Sequence, residues 1–107
     1  MKMDQFEKRI VDRLYFGRDT PTGEVTAAAW GDFCDRQITP RFSKGYTIYE
    51  ARGVWMGGHE NVFVLEVCRK LGDLGGPALQ DIADAYKSQF EQDAVLRATT
   101  DARYAFI

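Results

Sequence analysis

The chain holds a single histidine, His59, and two cysteines, Cys34 and Cys68, with no CxxC pair between them. A structural zinc site needs about four such ligands at short spacing, which excludes one here. Two isolated thiols suit a reducing compartment better than a disulfide scaffold. Long apolar runs are missing too. The longest, NVFVLEV, is far short of the roughly 20 residues that cross a bilayer as a helix. The N-terminal MKMDQFEKRIVDRL mixes charged and apolar residues and has no signal-peptide core, so a cytoplasmic location is expected. Neither sign of charge dominates, with 14 basic against 16 acidic residues and a net charge of −2. Nucleic-acid modules draw affinity from a basic surplus, so DNA and RNA are not the expected partners. The motifs GxSxG, GxxxxGK and HExxH are all absent, and no cofactor or metal is expected.

What remains is an ordinary globular composition, 45% apolar and 28% charged over 107 residues, which predicts one domain spanning 1–107. Residues 1–7 read as a flexible or helical lead-in. KRIVDRLYFG at 8–17 alternates as a strand, with Ile10, Leu14 and Phe16 on one face, broken only by Asp12. RDTPTGE is a loop. Thr26 caps a helix whose Trp30, Phe33, Cys34 and Ile38 form a stripe, and Thr39-Pro40 ends it. YTIYEARGVW and NVFVLEVCRK are strands joined by the glycine turn MGGHEN. A second helix begins near Pro77 and buries Leu79, Ile82, Ala83, Tyr86 and Phe90. DAVLRAT is a fourth strand and ARYAFI a short extra strand closing the chain.

This order predicts an α+β, ferredoxin-like βαββαβ fold, an antiparallel sheet with both helices on one face. RLYFGR at 13–18, GEVTAAAW at 23–30, ITPRF at 38–42, GYTIYEARGVW at 45–55 and YKSQFEQDAVLRAT at 86–99 together resemble the domain-of-unknown-function 3574 family of bacterial proteins. The likeness runs from about residue 12 to the end. It implies no biochemical activity.

With Leu14, Tyr49, Leu65 and Leu96 set toward the helices, alternation puts Arg13, Tyr15, Glu50, Arg52, Val62, Val64, Glu66 and Arg97 on the open face. Three readings follow: a solvated face laced with ion pairs, a twofold self-association surface, or a pocket where Arg13, Arg52 and Arg97 grip an anion. Tyr15 and Glu66 complete the candidate binding set. Tyr86 reads as core with its hydroxyl satisfied, and Lys87 as a residue at the edge of the stripe. Arg18 and Arg41 read as loop ties, and His59 as a turn residue without a partner for base catalysis. These features lead to a non-enzymatic interaction module, homodimeric or bound to another protein, such as an inhibitor encoded by a mobile element. The alternative is a dimeric α+β-barrel enzyme acting on a small anionic or aromatic molecule, bound by Arg13, Arg97 and Tyr15 with His59 or Glu66 handling protons.

Overall fold

The computed structural model describes residues 6–107 of the chain. Burial alternates along β1 (Glu7–Gly17), where Ile10, Asp12, Leu14 and Phe16 are all buried. Beyond it, Thr20 and Gly23 pair in a two-residue ribbon of β2 (Asp19–Thr20) and β3 (Gly23–Glu24) inside the expected loop. The Thr26 side chain then accepts the Ala29 amide at 3.1 Å, satisfying one orphan donor of α1 (Ala27–Phe33) as a serine or threonine cap does. The helix widens into a π-helical turn over Cys34–Ile38, which keeps Cys34 and Ile38 buried, and stops at Thr39-Pro40.

β4 (Thr47–Trp55) and β5 (Gly58–Arg69) form a hairpin closed by Met56 and Gly57 alone. Both have positive φ, 52° and 81°, the requirement of a two-residue type I′ turn. The expected turn is therefore shorter than MGGHEN, and His59 and Glu60 are strand residues. α2 (Gly75–Phe90) has Pro77 in its first turn, where a missing amide costs nothing. One strand, β6 (Leu96–Tyr104), closes the sheet. It pairs with β1 from Tyr15↔Leu96 to Glu7↔Tyr104, so the separate closing strand expected over ARYAFI does not form. β1 is long enough to pair both segments as one. The lead-in expected over 1–7 falls mainly outside the described residues, and Glu7 already belongs to β1.

The four long strands make one antiparallel sheet in the order β4-β5-β1-β6. Leu14, Phe16, Phe63, Leu65 and Val67 pack in one cluster with Trp30 and Phe33 of α1 and Leu79, Ile82 and Tyr86 of α2, so both helices cover the same face. Aromatic contacts dominate this core. Trp30 stacks on Phe63 at 4.4 Å and 2°, and Phe16 meets the Tyr86 ring at 4.7 Å. The buried Tyr86 hydroxyl donates to the Gly17 carbonyl at 2.6 Å, which ties α2 to the end of β1.

The other face departs from expectation. Leu14 and Leu65 do point to the helices, but Tyr49 and Leu96 do not. The register sets Tyr49 opposite Val64 and Leu96 opposite Tyr15, all on the open side. Glu50, Arg52 and Arg97 accordingly take the helix-side phase of their strands. A shift of one residue transfers a whole strand's side chains to the other face. The expectation assigned the apolar residues of the edge strands inward, whereas here the open face holds an apolar set of its own beside Arg13, Glu60 and Glu66: Val11, Tyr15, Tyr49, Ala51, Val62, Val64, Leu96 and Ala98. Val64 is fully buried with no helix above it, between Tyr15 and Tyr49 in the register.

Candidate functional site

The predicted site residues do not converge. On the open face Arg13 lies directly across from Glu66 and donates to it through Nε at 2.8 Å. That pairing raises the guanidinium pKa, chiefly through the Glu66 charge, with Tyr49 adding a hydrogen bond. Arg97 is on the reverse face, bound to Asp12 at 3.2 Å, so the expected Arg13–Arg97 pair is split across the sheet. Arg52 has helix-side phase but lines the rim of a groove described below. Arg18 donates twice to the Val25 carbonyl and lies 4.3 Å from the Phe63 ring centre, while Arg41 donates to the Gln37 carbonyl at the end of the π-helical turn. Both act as ties. Lys87 pairs with Asp84, and His59 is exposed with no acceptor placed beside it.

Two constellations emerge instead. The first is Asp12, fully buried among core residues yet charged. Its carboxylate accepts from Arg69, Arg97 and the Thr99 hydroxyl. Burial alone would raise its pKa, but the Thr99 hydrogen bond and the two guanidiniums outweigh that and hold it below the ordinary value. Arg69 also reaches Asp73, whose Oδ1 accepts the Gly75 amide at the start of α2. The group therefore links β1, β5, β6 and α2 with every charge partnered, which is a structural role. In the sequence its only trace is an aspartate interrupting an apolar face.

The second lies on the open face, at the Gly17 end of β1, where small residues leave room. Gly17, Ala51 and Gly53 lack bulk, and Tyr15, Val62, Trp55 and Leu96 rise around them. Residues 92–95, between α2 and β6, close one side. Together they bound a groove of about 620 Å³, within the usual range for small-molecule sites. Its floor holds a carboxylate. A Cβ built on Gly17 would meet Glu60 Oε1 at 2.3 Å and Gln92 Oε1 at 3.3 Å, so these acceptor oxygens converge above a bare Cα. The Gln92 amide nitrogen is turned away, donating to the Asp19 carbonyl. Among the described residues no arginine, lysine or histidine pairs with Glu60; the glutamates in ion pairs are Glu7, Glu24, Glu50 and Glu66. Of the predicted set, the groove takes in Tyr15, Arg52 and the start of β6 at Arg97. Sequence reasoning missed Gly17 and Glu60. The trace was present, since the strand pattern of LYFG at 14–17 closes on a glycine, which marks a close approach.

A model of proteins of unknown function, DUF3574, matches residues 11–106. The chain belongs to the DUF3574 family. No curated protein matches this sequence. Among solved structures, a phage SAM lyase in complex with S-methyl-5'-thioadenosine matches this DUF3574 protein with a TM-score of 0.65 at 14% identity, over 92% of this chain and 90% of the other. The phage SAM lyase in its apo state matches with a TM-score of 0.60 at 14% identity, over 97% and 91%. The fold is thus shared with an enzyme. This corrects the expectation of a non-enzymatic interaction module, which rested on a sheet face that mixes apolar and paired charged residues. That face also carries a groove with a carboxylate that no described residue pairs. Among the described residues no helix is long and apolar enough to span a membrane.

Proposed function

We propose that this DUF3574 protein is an enzyme acting on a small nucleoside-bearing sulfonium compound of the S-adenosylmethionine (SAM) class, bound in the groove at the open face. The observation that carries the reading is the groove itself: aromatic walls at Tyr15 and Trp55, a floor of small residues and a carboxylate without an ion-pair partner among the described residues, on a fold that in a phage protein serves a SAM lyase. Aromatic side chains offer stacking surfaces to a purine ring, which every base face can use. Small-molecule sites combine such apolar lining with few polar groups. A lyase that breaks a carbon–sulfur bond of a sulfonium returns the bonding pair to sulfur, leaving a neutral thioether. S-methyl-5'-thioadenosine is the thioether formed when the amino-acid arm of SAM departs, the arm's own carboxylate oxygen forming the new bond to the carbon that leaves sulfur, so that the arm closes as a lactone and no further reactant is needed. The arginine pair on which the enzyme reading first rested is not needed.

The test is turnover. SAM incubated with the purified protein and followed by liquid chromatography is expected to yield S-methyl-5'-thioadenosine in proportion to protein and time, and Trp55→Ala is expected to slow it. SAM recovered unchanged overturns the reading.

We read the topology as ferredoxin-like, supported by the strand order and by both helices lying on one face. Self-association through the apolar strip of Val11, Tyr49, Val64 and Ala98 is supported by its place on the face opposite both helices, and light scattering that gives a dimer mass tests it. A cytoplasmic location is supported by the free, exposed thiol of Cys68.

A further inference from the structure

We infer that Glu60 reads the positive charge of the ligand and so separates a cationic substrate from its neutral thioether product. The inference rests on the proposed groove and adds a specificity residue to it. Three features converge. The carboxylate occupies space that only a glycine at position 17 leaves free, 2.3 Å from where a Cβ would stand. The neighbouring Gln92 presents its oxygen, not its nitrogen, to the same point, because Asp19 takes the amide hydrogen. Two acceptor oxygens facing one point, with no side-chain hydrogen bond to either among the described residues, favour a cation there by direct charge attraction.

The surroundings strengthen the preference. Glu60 is partly buried, and Val62, Leu96 and the rings of Tyr15 and Trp55 lower the local polarity. Charge–charge attraction grows as water is excluded, and aromatic faces attract cations in addition. Arg52 at the rim is the group left for a ligand carboxylate. Cleavage of the sulfonium then cancels the charge that Glu60 holds, so the product loses its grip as it forms.

Calorimetric titration of wild type and Glu60→Gln with SAM, S-adenosylhomocysteine and S-methyl-5'-thioadenosine tests this. The amide keeps the shape and removes the charge. SAM is expected to bind wild type about tenfold or more tighter than S-methyl-5'-thioadenosine, and Glu60→Gln is expected to abolish that preference while leaving the neutral ligand's affinity within about twofold. S-adenosylhomocysteine keeps the ammonium but lacks the sulfonium, so its rank identifies which cation is read. An equal loss for all three ligands would mean that Glu60 holds the ribose hydroxyls or the local structure, and overturns the inference. If no nucleoside binds wild type, the functional reading falls while the inference is still decided by benzyltrimethylammonium. Amide shifts at Gly17 and Glu60 that vanish in Glu60→Gln support it, and no shifts in wild type overturn it.

Discussion

Arg97 reaches across from β6 to place its guanidinium 3.2 Å from the carboxylate of Asp12, a residue with no exposed surface at all. With Arg69 and Thr99 on the same carboxylate, this is a charge held inside the fold by its partners. Removing one member of such a buried pair strands the others. Asp12→Asn is expected to lower stability by about 3 kcal/mol in urea unfolding. A loss below about 1 kcal/mol would show the cluster to be a solvated contact.

The same carboxylate sets an acid limit. Its folded pKa lies below the ordinary aspartate value of 3.8, so the folded state favours the charged form. The stabilisation is therefore complete above that value and is lost as pH falls from about 3.8 toward the folded pKa. Wild type should lose stability steeply below about pH 4, and Asp12→Asn should show a shallower fall over that window. Parallel curves would contradict the assignment.

Two residues carry backbone conformations that favour glycine or asparagine. Glu91, at the end of α2, has φ 54°, and Met56 in the hairpin turn has φ 52°. Glu91→Gly and Met56→Asn are each expected to raise stability by about 0.5–1 kcal/mol, because the strain goes and no packed side chain is lost. Denaturation midpoints measure this, and a decrease in either would contradict it.

The thiols should behave differently. Cys34 is buried behind the Trp30–Phe33 turn, and burial pushes its pKa up to about 11, whereas Cys68 is exposed on the open face. A thiol reagent at pH 8 is expected to label one cysteine in the folded protein and the second only on unfolding. Protection of Cys68 at high protein concentration would indicate that a second copy covers this face.

Gly17 offers a test that separates site from scaffold. In Gly17→Ala the new Cβ meets only the ends of two flexible side chains, those of Glu60 and Gln92. The protein is expected to fold with a stability change below about 1 kcal/mol, the side chains swinging aside. Binding of the sulfonium nucleoside should fall about tenfold or more. Unchanged affinity would remove Glu60 from the groove's chemistry.

Much of the scaffold was legible because its periodicities are strong. The Ile10, Leu14, Phe16 alternation, the Thr26 cap and the Leu79, Ile82, Tyr86 stripe each answer to one local rule, and all three appear as expected. The edge strands were not legible. Tyr49 and Leu96 are apolar residues on an open face that is apolar in part, so no contrast in the sequence marks which side faces the helices. That single ambiguity misplaced Glu50, Arg52 and Arg97 together. Glu60 was hidden for another reason: a two-residue turn absorbs the bend, and MGGHEN reads as a loop when its last four residues are strand. A carboxylate seated over a glycine 43 positions away is a tertiary fact that no spacing rule reports.

The most direct test of the groove as the ligand site uses the two tryptophans. Trp30 is 6% exposed in the core and Trp55 is 63% exposed at the groove wall. Titrating SAM while following both indole N–H signals by NMR should move Trp55 saturably and leave Trp30 in place. A motionless Trp55, or shifts confined to residues away from the groove, would contradict the account.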